Sequence, residues 1–525
     1  MRKQSFERGT FTLTVAALIT RIISFAYGII VARFLGAEGV GLLMMAHPLV
    51  PLVITLTSLG LPVAISKLVS EAEARGDTKK IKTILAVSLA VTGTLSVVLT
   101  LFSLAGSKWI ASFLLTDQRA YYAMLALTPI APLVAVSAVL KGYFRGKQNM
   151  QPLAFSEIFE QIVQVLGLYA LVQLLLPYGL EYAVAGAMGS QVIAEAFSLL
   201  YLYLVYKRSI RREPAAAGLR VSIFEHIRKG KQTLLELMKI GLPTMGNGVI
   251  HSIYGSFQPL LITKSLALFG VSTAMATKQL GLLAGYAFPL LFLPSFITNS
   301  LSTALIPAIS EAKAMDNNRL MVRRIDQAIR IGLLIGAPST VVLYFWAEPL
   351  TALLYKAPEA APLLMMLAPI FLLHYFEHPL HAILIGLGKA GTAMWNSVVP
   401  TVLKAAAIFI LGSEFGMPGV IWSINFSIIL HTIMNIMSIS RLIGFNIELR
   451  MFAKVAFSTV VMTLFGLSTY RFLQNTGSGL AASVILSISL AIAAYLVALL
   501  STNAIRRRGL LKLLKTMPVP RSRIG

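Results

Sequence analysis

Glu157, Glu160, Gln161 and Gln164 follow one another at i, i+3, i+4 and i+7 inside an apolar stretch, which puts all four on one face of a helix. His374, Glu377, His378 and His381 repeat that geometry farther along the chain. Arg21 and Lys404 each stand about halfway along an apolar run. An ionisable group at the centre of a bilayer costs at least about 2.5–3.5 kcal/mol, so such residues face a hydrated cavity or a partner. Arg21 is the first candidate for contact with an anionic substrate, with a structural salt bridge as its alternative. For Lys404 the order is reversed. Glu157 and Glu160 are counter-ions for either cation or proton carriers, and Gln161, Asn247 and Gln258 complete the candidate binding set. Glu377, His374, His378 and His251 are the candidates for proton or ion coupling, although His251 and His431, as lone histidines, also read as hydrogen-bonded packing residues.

The string HYFEH from His374 to His378 has the H-x-x-E-H spelling of one class of zinc peptidase. No third ligand is recognisable, Pro379 follows at once, and no stretch remains for a soluble catalytic domain. A polar stripe lining a cavity is therefore the better reading, and no metal site is expected. There is no phosphate-binding Walker loop, no G-x-S-x-G elbow and no Asp-rich metal motif, so neither enzymatic chemistry nor a cofactor nor ATP-driven pumping is expected. Without cysteine, disulfides and thiol nucleophiles are excluded.

The elements that must position these residues are membrane helices. The chain is 57% hydrophobic and 13% charged, more apolar surface than a soluble domain hides. Spans of about 20 apolar residues are needed to cross the hydrocarbon core. Fourteen are expected, at roughly 10–33, 40–66, 83–107, 120–143, 152–176, 182–206, 238–263, 281–308, 327–347, 361–386, 392–413, 416–440, 453–470 and 480–502. They divide the chain into an N-lobe (1–206), a basic linker (207–237), a C-lobe (238–440), two trailing helices (441–504) and a basic tail (505–525). The net charge of +24 suggests nucleic acid until its distribution is considered. One side of the spans, holding both termini, collects 36 of the 45 Lys and Arg; the other has Arg33, Lys108, Arg119, Lys264, Lys278, Lys356 and Arg471. The positive-inside rule then makes both termini cytoplasmic, and no nucleic-acid partner is needed to explain the charge. Residues 221–237 read as an amphipathic surface helix or a plain linker, and the basic tail as a segment held to anionic lipid. Gly241, Pro243, Gly246 and Gly248 in span seven read either as a bend facing an interior or as sites of close packing.

Residues 61–74 return 240 positions later as 301–314, with Leu61/Leu301, Ala64/Ala304, Ser70/Ser310, Glu71/Glu311 and Ala72/Ala312 in register. Leu127, Pro129, Ile130 and Leu133 keep the same offset to Leu367, Pro369, Ile370 and Leu373. A weaker echo sets Gly146-Lys147 against Gly388-Lys389. Two six-span lobes of one orientation, parallel repeats about an axis along the membrane normal, follow from an even number of spans per repeat.

Further strings carry a resemblance. They include Thr20-Arg21, residues 31–36 (VARFLG), 38–41 (EGVG), 60–67 (GLPVAISK), 142–149 (GYFRGKQN), 177–182 (PYGLEY), 276–279 (ATKQ), 294–298 (PSFIT) and 300–311 (SLSTALIPAISE). With them the chain resembles the stage V sporulation protein B and polysaccharide biosynthesis family, within the multidrug/oligosaccharidyl-lipid/polysaccharide exporter superfamily. The resemblance covers nearly the full chain and weakens after about residue 440. It implies an all-α integral membrane fold, MATE/MOP-like, in the bacterial cytoplasmic membrane. It further implies a flippase moving undecaprenyl-pyrophosphate-linked sugars, foremost lipid II for spore cortex peptidoglycan, with membrane lipids and peptidoglycan synthases as partners. Arg21 matches the first-span arginine of the lipid II flippases in that superfamily. Where those carry a second arginine this chain has Tyr27, and where they carry cations in span two it has Leu52 and Val53, so its cavity is less cationic. An exporter of another lipid-linked polysaccharide or of drug-like cations, a membrane glycosyltransferase, and a non-transporting scaffold for cortex synthesis are the alternatives.

Overall fold

The computed structural model describes residues 6–211, 230–443 and 449–504, and every regular element among them is helical. The amphipathic stretch expected from residue 221 and the basic tail lie largely outside the described residues. In hydrocarbon the backbone must satisfy its own N–H and C=O groups, and the helix does so within each apolar run. Eleven described helical segments are long and apolar enough to cross a membrane, twelve if the bent pair Thr273–Phe292 and Ser295–Ala314 counts as one span. This is fewer than the fourteen expected. Ala17–Ala74 counts as a single segment although it covers two expected spans, and α10 (Lys231–Leu268), which carries the expected seventh, is not among the eleven.

The duplication seen in the sequence is a duplication of structure. α3 (Leu61–Ala74) ends on Gly76, in the left-handed region at φ 70°, and Asp77 caps α4 (Thr78–Ala105) by accepting the Lys80 N–H at 2.9 Å. At an offset of 240, α13 (Ser295–Ala314) ends on Asp316 at φ 51°, and Asn317 caps α14 (Asn318–Phe345) by accepting the Leu320 N–H at 3.0 Å. α7 (Ile130–Gly146) and α16 (Ala361–Gly386) also end alike. Gln148 (φ 55°) matches Gly388 (φ 73°), and the Asn149 N–H to Phe144 O bond of 3.0 Å matches Lys389 N–H to Leu384 O at 2.9 Å.

Gly146 therefore pairs with Gly386, not with Gly388 as its sequence neighbourhood suggests. A Cβ on Gly146 would stand 2.7 Å from Val69 Cβ and 2.8 Å from Ser66 O; on Gly386, 2.8 Å from Ile309 Cβ and 3.0 Å from Ile306 O. Each glycine lets one helix backbone lie against its neighbour. The buried cores obey the same offset: Ile65, Val69, Leu85, Leu140 and Phe144 in one, Leu305, Ile309, Ile325, Leu380 and Leu384 in the other.

The chain divides into two compact units, Met1–Gly285 with Ile408–Met417, and Tyr286–Ala407 with Pro418–Gly525. In the first, α1 (Phe6–Ala46) breaks at Gly36 (φ 65°, ψ 179°), and α2 (Leu49–Ser58) leads into α3 through Leu59 and Gly60, both left-handed. α5 (Ser107–Leu114), α6 (Tyr121–Leu127), α8 (Gln151–Leu175), α9 (Leu180–Arg211), α10 and α11 (Thr273–Gly281) complete the labelled helices there. α10 runs unbroken through Gly241 and Pro243. Gly241 instead allows close approach, since a Cβ there would be 2.6 Å from Leu59 O, so at Gly241 the packing reading prevails. The sharp bend, 55°, comes later in the chain, between the segments that meet at Leu293–Pro294, where Leu282–Ala287 winds as a π-turn ahead of α12 (Phe288–Phe292). In the second unit α15 (Ala347–Tyr355), α16, α17 (Ala390–Phe415, to Ala407) and α18 (Met417–Ile443, from Pro418) follow. There α19 (Leu449–Asn475) and α20 (Leu480–Ser501) enclose Trp346, which is fully buried and donates Nε1–H to Ser487 Oγ at 3.0 Å.

Candidate functional site

Each unit holds a polar cluster inside its helices. In the first, the stripe on α8 divides between neighbours on two sides. Towards α1, Ser24 Oγ donates to Gln161 Oε1 at 2.8 Å, Gln161 Nε2 lies 3.3 Å from Gln164 Oε1, and Tyr27 hydrogen-bonds Gln164 and Ser190. Towards α7, Glu160 lies 3.7 Å from Lys141 Nζ, and Glu195 of α9 is buried. Arg21 is exposed, one turn before Ser24, and makes no ion pair among the described residues. Glu157 is half-buried and Gln258, on α10, likewise; neither has a hydrogen bond among the described residues. Asn247 and His251 lie on α10, but their side chains fall outside the described residues. Glu160, expected as a counter-ion for Arg21 or Lys404 or as a proton carrier, has Lys141 as its ion-pair partner, a cation one helix away that spacing along α8 could not reveal.

The second unit gathers its stripe around one carboxylate. His374 Nδ1 lies 2.8 Å and His431 Nδ1 3.4 Å from Glu377 Oε2, so both rings point the same nitrogen at one oxygen. The Nε2 atoms of both are buried without a hydrogen-bond partner. The His378 ring is 5.9 Å from that of His374, and Lys404 on α17 stands within electrostatic reach of Glu377. Phe292 and Phe371 pack on His374 with ring centroids 5.2 and 4.9 Å away. His431, on α18, expected as a hydrogen-bonded packing residue, has its polar partner in Glu377. Within the H-x-x-E-H string, His374 and Glu377 are hydrogen-bonded to each other, and among the described residues no group of three or more His, Asp and Glu is arranged to hold a metal.

A third constellation, absent from the expected set, sits at the loop ends of the first unit. Arg119 Nη2 is 2.8 Å from both Glu38 Oε1 and Asp117 Oδ2, and Asp117 Oδ2 accepts from Thr277 Oγ1 at 3.0 Å. Burial pushes the Asp117 carboxyl up, but the Arg119 hydrogen bonds and charge outweigh it and hold the group below the usual carboxylate range. Its signal in the sequence is that Arg119 is one of only a few cations on the less basic side of the spans. Beside it the backbones of α1 and α11 touch, with Gly41 against the Thr277 carbonyl and Gly281 against that of Ala37.

With this geometry in hand, comparison with known proteins is decisive on kinship. A family model described as polysaccharide biosynthesis protein matches residues 6–313, and a second, MatE, matches residues 260–410. Stage V sporulation protein B of Bacillus subtilis (strain 168) is 42% identical over 97% of each chain. The chain belongs to the polysaccharide biosynthesis protein family. Lipid II flippase MurJ of the same organism is a more distant relative, 24% identical over 76% of this chain and 75% of its own. Among solved structures, this family member has the fold of Lipid II flippase MurJ in its inward closed conformation, with a TM-score of 0.68 and 14% identity over 93% of this chain and 97% of that one. An inward-facing multidrug resistance MATE family transporter of the MOP superfamily gives 0.67 and 16%, covering 83% of this chain and 98% of that one. The polysaccharide biosynthesis family member is thus a multi-pass membrane protein with the fold of this flippase and this transporter.

Proposed function

We propose that the protein is a flippase that carries an undecaprenyl-pyrophosphate-linked peptidoglycan precursor, lipid II, across the cytoplasmic membrane for spore cortex synthesis, with both termini cytoplasmic. The observation that carries this reading is the joint kinship to stage V sporulation protein B and to a lipid II flippase over most of the chain. A pyrophosphate–sugar headgroup cannot enter hydrocarbon unaided, whereas its polyprenyl tail can remain in lipid. Arg21, exposed and without an ion pair among the described residues, supplies a cation for the pyrophosphate, with Lys404 as a second. Gln161, held by Ser24, and Gln258 supply amides for the sugar, with Asn247 and Glu157 beside them in the proposed set. The two repeats alternate access to the site by exchanging between inward-open and outward-open states.

Coupling is assigned to Glu377 and the imidazoles around it. Glu377 can compensate a second proton taken up at Nε2 of His374 or His431, with His378 and His251 as relay positions and Glu160, beside Lys141, as a proton carrier. A charge moved through the full membrane field gains about 2.3 kcal/mol per 100 mV, enough to bias such a cycle.

The test is headgroup translocation of fluorescent lipid II in proteoliposomes, with the intact protein beside Arg21→Ala. Protein-dependent flipping that drops at least tenfold in the variant is expected. Absence of flipping by folded intact protein would overturn the substrate, and undiminished flipping by the variant would remove Arg21 from the site.

A further inference from the structure

The first unit contains an apolar cavity of about 280 Å³ between α2, α4, α5, α6 and α7. Met124, Leu127 and Ala131, all buried, form its inner wall; Ile110 and Leu114 of α5 form one end; and Phe102, 65% exposed, brings it to the lipid-facing surface. No charged side chain lines it. Of its three hydroxyls, that of Thr128 is spent on Met124 O. Such a cavity is dry and takes hydrocarbon rather than a polar ligand.

The duplication supplies an internal control. At the fixed offset, Ala131 of α7 corresponds to Phe371 of α16, and Ser103 of α4 to Leu343 of α14. Phe371 and Leu343 are buried, and the Phe371 ring packs against Phe292 at 5.4 Å and Tyr375 at 6.5 Å. At the corresponding position the second unit carries a buried aromatic ring, where the first has Ala131 beside its cavity. Close packing is the rule in protein interiors, so a void of this size has an occupant to account for.

The surroundings identify the occupant. α5 begins at the far end of α4 from the basic loop around Arg75, and it is a short helix whose Ser107 and Ala111 are buried while Lys108, Trp109 and Phe113 are exposed. Trp109 and Phe113 stack at 6.1 Å. An amphipathic helix with exposed aromatic rings and a cation lies at the headgroup level, with its apolar side over the acyl region. We propose that the cavity binds one acyl chain of a membrane phospholipid whose phosphate is met by Lys108. None of its lining residues belongs to the polar clusters, and the site does not depend on what the protein transports.

The experiment uses the full chain in nanodiscs of phosphatidylglycerol and phosphatidylethanolamine, doped with a phosphatidylglycerol carrying a diazirine midway along one acyl chain. After illumination, adducts are mapped by peptide mass spectrometry. Labelling of Met124, Leu127 and Ala131, which are buried beneath the surface, is expected. Ala131→Phe and Ser103→Leu, each copied from the second unit, should lower it at least fivefold while labelling of the lipid-exposed α20 persists. Lack of adducts on Met124, Leu127 and Ala131 in the unaltered protein, or undiminished labelling of them in whichever variants fold, would overturn the site. Labelling there by a diazirine polyprenyl phosphate but not by the phospholipid would overturn the occupant.

Discussion

Glu377 meets two imidazoles on different helices through a single oxygen, at 2.8 Å and 3.4 Å. Removing the partner of a buried charged group typically costs several kcal/mol. Glu377→Ala should therefore destabilise the protein by about 3 kcal/mol, read as a lowered midpoint of thermal unfolding in detergent, and Glu377→Gln by less. Asp117 gives a second test. Its folded carboxyl titrates below the unfolded value, so its contribution is present above the ordinary carboxylate range and is lost as pH falls through the depressed folded value. A series of unfolding midpoints from pH 6 down to about pH 3 should show Asp117→Asn losing less stability than the unaltered chain. Contacts within one helix are legible in the sequence: His374 and Glu377 are three residues apart, and their spacing alone makes them neighbours. Contacts such as His431 on Glu377 or Ser24 on Gln161 join helices far apart in sequence, and periodicity within a helix carries no information about which partner it meets.

At the scale of elements, the glycines at helix crossings decide the packing. Gly146 and Gly386 leave room for Val69 and Ile309 with nothing to spare. Gly146→Ala and Gly386→Ala should each cost about 1–3 kcal/mol through forced backbone shifts, whereas Gly93→Ala, which meets open space, should be neutral or slightly stabilising. Parallel thermal melts of the three variants separate steric cost from helix propensity. Most helices are readable from apolar run length, because lipid demands that length. Where they bend is not. The glycines and proline of α10, residue types that break helices elsewhere, lie in an unbroken helix with Gly241 close to Leu59 O, while the 55° turn falls at Leu293–Pro294. The same residue types permit either outcome, and the neighbouring helix selects between them.

At the scale of the molecule, the charge asymmetry makes a prediction that the absence of cysteine renders easy to test. Single cysteines at Arg75 and Lys389 should be inaccessible to a membrane-impermeant maleimide in intact cells, and those at Lys356 and Asn475 should react. The opposite pattern would invert the orientation. The two copies of the fold also act as a reading key for each other. Where Gly76 and Gly388 turn the chain through the left-handed region, their counterparts Asp316 and Gln148 make the same turn with a side chain attached. A side chain there costs about 1–2 kcal/mol, offset in part by the extra freedom glycine gives the unfolded chain. Asp316→Gly and Gln148→Gly together should raise the unfolding midpoint, a gain of about 1 kcal/mol. Such a chain holds its own ancestral comparison, and each half proposes, position by position, the repairs the other has already tried.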